Sequence, residues 1–123
     1  MTSDYEDFRF ERPGTLDLVF RGRVIATADR RANTRKIPKN RPRWTEIVIY
    51  LTDSDKWIVL NAGCSDVPGE TDKEAFYICS TPEEVQDAVM IKPAGVITTT
   101  AATALRRAAE ADPRLRVVLQ QRV

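Results

Sequence analysis

Apolar and polar residues alternate from Thr15 to Ala28, and this period of two predicts a strand. Leu16, Leu18 and Phe20 fall on one face, continued by Val24 and Ala26, while Val19 and Ile25 point the other way. Gly22 interrupts the run and marks a bulge or a close backbone approach. Trp44 to Thr52 holds Ile47, Val48, Ile49 and Tyr50 in succession, a β-branched and aromatic density that predicts a second strand. Thr52-Asp-Ser-Asp-Lys56 has turn chemistry. Trp57 to Asn61 then predicts a third strand, with Trp57 and Val59 opposite Ile58 and Leu60. A turn near 53–55 lets Trp44, Tyr50 and Trp57 share a face, where core packing is the expected use and an exposed aromatic platform the alternative. After a loop at 63–74 with Pro68-Gly69 at its tip, Ala75 to Cys79 predicts a short fourth strand.

The period then changes. Ser80-Thr-Pro-Glu-Glu is a helix start: Ser80 or Thr81 caps, Pro82 takes the first turn, and Glu83 and Glu84 suit the positive end of the dipole. Val85, Ala88 and Val89 make the buried stripe, and the helix ends before Pro93-Ala-Gly95. A second, alanine-rich helix is predicted from Thr99 or Thr100 to Ala111, anchored by Leu105, with Ala101, Ala102, Ala108 and Ala109 permitting close packing. Asp112-Pro113 repeats the cap-then-Pro signal before a short last helix with Leu115, Val118 and Leu119 on one stripe; a strand over Leu115–Leu119 is the alternative. Strands first and helices later predict an α+β fold: an antiparallel sheet of about four strands followed by two or three helices packed on one face. Residues 15–123 form one domain in this reading. Residues 1–14 form a loose arm ending at Pro13-Gly14, unless Phe8 and Phe10, which alternate with charge, make a short strand.

Composition changes this picture little. The 123 residues, 42% hydrophobic and 30% charged, fit an ordinary globular domain. No run approaches the roughly 18 apolar residues of a membrane span, and the acidic start is unlike a signal peptide, so a cytoplasmic protein without membrane partners is expected. Cys64 and Cys79 read as small buried thiols, with a bridge between them left open. Histidine is absent, which removes imidazole acid/base chemistry, Ser-His and Cys-His pairs, and His-containing metal sites. No cofactor, metal or catalytic residue is assigned. The loop Asp66 to Asp72 is acidic but lacks the ligand spacing of a calcium loop.

Charge placement is the strongest functional signal. Arg21, Arg23, Arg30, Arg31, Arg35, Lys36, Lys39, Arg41 and Arg43 are nine basic residues with Asp29 as the only acid, a local charge of about +8. Between Asp53 and Asp87 nine acids face Lys56 and Lys73, about −7. An arginine-rich segment beside a sheet offers many donors for phosphates, and Trp44 at its base can stack on a base or anchor the strand. These ten residues form the candidate interface, for nucleic acid or for an acidic protein surface. A solvated loop, or pairing with the chain's own acidic segment, is the competing account. A homodimer through an exposed strand edge is a further expectation. Residues 30–43 are expected to be the most mobile internal segment, because Ile37 is their only large apolar residue.

Three stretches together resemble a known group: Phe20-Arg-Gly-Arg, Arg43-Trp-Thr-Glu-Ile-Val-Ile-Tyr-Leu-Thr, and Val67-Pro-Gly-Glu-Thr-Asp followed by Ser80-Thr-Pro-Glu-Glu-Val. The chain is similar here, over roughly residues 16–112, to small uncharacterised proteins of actinobacterial plasmids, integrative elements and phages. The resemblance implies a non-enzymatic protein that binds host machinery, including an inhibitor or anti-defence protein.

Overall fold

The computed structural model describes residues 4–29, 43–65, 67–91 and 95–120. Five strands run as an antiparallel meander, β1 (Glu6–Phe10), β2 (Leu18–Asp29), β3 (Arg43–Thr52), β4 (Trp57–Ser65) and β5 (Lys73–Cys79), in the order β1-β2-β3-β4-β5. Helices α1 (Pro82–Val89) and α2 (Thr99–Ala111) and a C-terminal 3₁₀ helix (Pro113–Leu119) follow. The fold is α+β as expected, with five strands rather than about four. No helix among the described residues is long and apolar enough to cross a membrane.

The helices begin where their caps dictate. Thr81 caps α1 by accepting from the Glu84 amide at 3.2 Å, and its hydroxyl donates to the Glu84 carboxylate at 3.3 Å. Thr98 accepts from the Ala101 amide at 3.1 Å. Val85, Val89, Leu105 and Leu115 then meet Ile47, Ile49, Trp57 and Val59 on one face of the sheet, in a core that includes Ala101, Ala104 and Ala108. The alanines bring α2 close to the strands, so one large residue, Leu105, suffices to anchor it. Near the C terminus the observed element is helical, in 3₁₀ geometry, and not a strand.

The other face holds a second core. β1 pairs with β2 only over Leu18–Gly22, and β3 pairs with β2 only over Gly22–Asp29. The β1–β2 hairpin therefore projects past the end of β3, and it folds back over the face away from the helices. Phe8 and Phe20 reach Tyr50 at ring distances of 5.0 and 5.3 Å, and Phe10 reaches Phe76 on β5 at 4.8 Å. Contact between strands at opposite edges means the sheet curls strongly. Each ring that leaves water contributes on the order of 2 kcal/mol, which offsets ordering the hairpin.

Three sequence expectations change here. Glu6–Phe10 is a paired strand, the alternative reading of the arm, because Phe8 and Phe10 have this aromatic core to enter. A register shift between Val24 and Ala26 moves Ala26 to the helix face, opposite Ile49, while Val24 stays opposite Tyr50 on the aromatic face. The simple alternation fails at that bulge. Trp44 and Tyr50 do share a face, but Trp57 pairs with Leu51 and points into the helix-side core.

Candidate functional site

β2 ends at Asp29 and β3 begins at Arg43, so the basic segment joins two strand ends on one end of the sheet. Arg30, Arg31, Arg35, Lys36, Lys39 and Arg41 lie outside the described residues, as does their expected mobility. Arg43 pairs through its backbone with Ser65. Trp44 is half-buried at this end, and its indole Nε1–H donates to Glu46 at 3.1 Å.

Arg21 and Arg23 are not part of this group. Gly22 lies opposite Thr52, whereas Asp29 lies opposite Glu46. At about 3.3 Å per residue, Arg23 stands roughly 20 Å or more from Trp44. Arg21 is exposed and ion-paired with Asp7 at 3.4 Å, and its carbonyl accepts from the Asp53 amide beside the β3–β4 turn.

Register assembles something the sequence hid. Asp29, Glu46, Ala62 and Glu74 form one row across β2, β3, β4 and β5, on the same face as Trp44. The 65–72 turn adds two carboxylates: Asp72 accepts from the Ser65 amide at 3.1 Å and Glu70 from the Ser65 hydroxyl at 2.6 Å. A cleft of about 610 Å³ opens between Trp44, Thr45, Cys64, Ser65, Thr71 and Lys73. Its charge is felt by Cys64, directly opposite Trp44. Burial, then Glu46 and Asp72, push that thiol up to about 11. No protein-family model matches the chain, and the searches of curated proteins and of solved structures return no match.

A thiol so placed is a poor nucleophile, since the thiolate is the reactive form. Cys64 should react with iodoacetamide at pH 8 about two orders of magnitude more slowly than an unperturbed thiol, as read by mass spectrometry of the intact protein. Cys64 and Cys79 are not bridged: Cys64 lies on the aromatic face, and Cys79 lies in the helix-side core, opposite Trp57 at the far end of β4. Among the described residues no cluster of three or more Cys, Asp or Glu side chains is arranged to hold a metal ion.

One further basic residue belongs to the neighbourhood. Arg107 of α2 donates to the Thr27 carbonyl at 2.7 Å, and a shallow depression of about 240 Å³ separates it from Asp29 and Glu46. The sequence carried no signal for it, because the helix docking that brings it to β2 is a tertiary event.

Proposed function

We propose that this chain is a non-enzymatic binding protein, and that it docks a protein partner of a nucleic-acid-handling complex with the end of the sheet that carries residues 30–43. The carboxylate row Asp29–Glu46–Glu74 carries the reading. It runs across the sheet at the strand ends from which the basic segment springs. A phosphate backbone is negative throughout and is repelled by that row. A protein surface presents both signs and can match both at once. The protonated Cys64 and the absence of histidine support a role without covalent chemistry. The resemblance to mobile-element proteins suggests a host complex as target and inhibition as outcome.

A second reading, direct contact with nucleic acid, draws on Trp44. Its half-buried ring borders an open cleft beside the basic segment, a place where a base can stack.

A pull-down from host lysate and a fluorescence-anisotropy titration with generic DNA and RNA at low salt separate the two. The expected outcome is one co-purifying protein, lost when Arg30, Arg31 and Arg35 are each changed to Glu, and nucleic-acid affinity no tighter than the ordinary non-specific range of about 1–100 μM. Tight nucleic-acid binding that the same triple change abolishes, and that falls steeply with salt, replaces the first reading by the second. Loss of neither activity in the variant sinks both.

A further inference from the structure

A groove runs between α2 and the 3₁₀ helix. Two depressions, of about 380 and 150 Å³, share Arg106 and Leu119 and so form one feature. Ala102, Arg106 and Ala109 line its α2 side at the i, i+4, i+7 spacing of one helix face. Ile97, ahead of α2, and Leu119 of the 3₁₀ helix line the other side. Ala102 and Ala109 are too short to fill the space, so the two large apolar residues stay open to water: Ile97 is 37% and Leu119 41% exposed. From Ala102 to Glu110 the α2 side is roughly 12 Å long, at 1.5 Å per residue. Arg106 and Arg116 stand at one end of the groove with Glu110 beside them, so the rim is net positive. Both arginines are exposed, and neither makes an ion pair or a hydrogen bond among the described residues.

We propose that this groove docks a short acidic and apolar segment of a partner protein, with its apolar side chains over Ile97 and Leu119 and a carboxylate between Arg106 and Arg116. Charge selects the occupant. A guanidinium presents its N–H donors in a planar fork that matches a carboxylate, and here two such forks have no acceptor of their own. A basic or uncharged segment leaves both unanswered. Shape narrows the choice further. The space is concave and about two helical turns long, which suits an amphipathic segment laid in a groove and not the flat face of a bilayer. The groove shares no residue with the sheet end that carries residues 30–43, so this contact is separate from the one proposed above.

Selection of a random peptide library on the immobilised full chain tests the assignment, followed by fluorescence anisotropy with the enriched peptide. Enriched sequences are expected to combine Leu, Ile or Phe with Asp or Glu. The enriched peptide is expected to lose about tenfold or more in affinity for the double variant Arg106→Glu, Arg116→Glu, and to bind Ile97→Ser more weakly as well. Far-UV circular dichroism is expected to be unchanged in both, because the two arginines hold no fold contact and Ile97 is already partly in water. No enrichment, enrichment without acidic residues, or a peptide that binds both variants as tightly as the wild type overturns the assignment. Cosedimentation with phosphatidylglycerol vesicles that the double variant abolishes, while no peptide is enriched, assigns the groove to a lipid surface and overturns it too. So does peptide binding that emerges only after residues 121–123 are removed, since the chain's own end is then the occupant.

Discussion

Replacing Asp112 by Ala is expected to destabilise the fold by about 2–4 kcal/mol, a fall in melting temperature on the order of 10 °C by calorimetry. Asp112 is 5% exposed and joins three elements at once. Its carboxylate accepts from the buried Trp57 Nε1–H at 3.2 Å and takes both ends of the Arg114 guanidinium at 2.9 and 2.8 Å. It also caps the 3₁₀ helix through the Arg114 amide at 3.2 Å. Removing it leaves an indole donor buried without its acceptor and a helix start without its cap. The Arg114 guanidinium lies 4.9 Å from the centre of the Trp57 ring and 3.5 Å from Asp55, so the docking of the C-terminal segment on the β3–β4 hairpin loosens with it. The hydrogen bonds from Arg114 hold the Asp112 carboxyl below the usual carboxylate range, against the opposing effect of burial. A depressed folded-state pKa contributes stability that is fully present above the unfolded value of about 3.9 and is lost as pH falls through the folded one. Acid unfolding of the wild type therefore draws on this group at the low end of the acid range. In Asp112→Asn, which keeps shape and an acceptor oxygen, that part of the pH dependence should vanish. An Asp112→Ala protein as stable as the wild type would contradict this account.

Gly22→Ala is expected to cost about 2–3 kcal/mol, a large penalty for one methyl group. A Cβ there meets the Leu51 carbonyl oxygen at 2.5 Å, and the Leu51 carbonyl carbon and Thr52 Cα at 3.2 Å. All three are backbone atoms of the neighbouring strand, so relief requires moving β3 from β2. This is the point at which β2 leaves β3 and the aromatic hairpin turns back over the sheet. The substitution should therefore loosen Phe8, Phe10 and Phe20 together, seen as lost near-ultraviolet dichroism and faster amide exchange across β1. Gly63→Ala provides the contrast, because its nearest atom is the Lys73 carbonyl oxygen at 4.0 Å, and its effect should stay within about 0.5 kcal/mol. Equal penalties at the two glycines would show that backbone approach is not what Gly22 serves.

Local chemistry alone determined much of this protein. Period-two alternation located β2, runs of β-branched and aromatic residues located β3 and β4, and Ser80-Thr81 and Asp112 marked two helix starts, because a cap is a contact between residues two or three apart. Gly22 was legible as an irregularity, since glycine inside a strand carries a cost that a close approach repays. Tertiary structure decided what depends on pairing. The shift at Val24 to Ala26 reverses the inward face of β2, and a one-residue slip carries no compositional mark. Phe8 and Phe10 became a strand only because β2 continues past β3 and gives them Tyr50 and Phe76 to pack on. The candidate site divided for the same reason. Arg21 and Arg23 adjoin the basic segment in sequence, yet the length of β2 carries them to the opposite end of the sheet. Asp29, Glu46 and Glu74, scattered along the chain, come into one row because antiparallel register sums three hairpin lengths that no single segment of the sequence encodes.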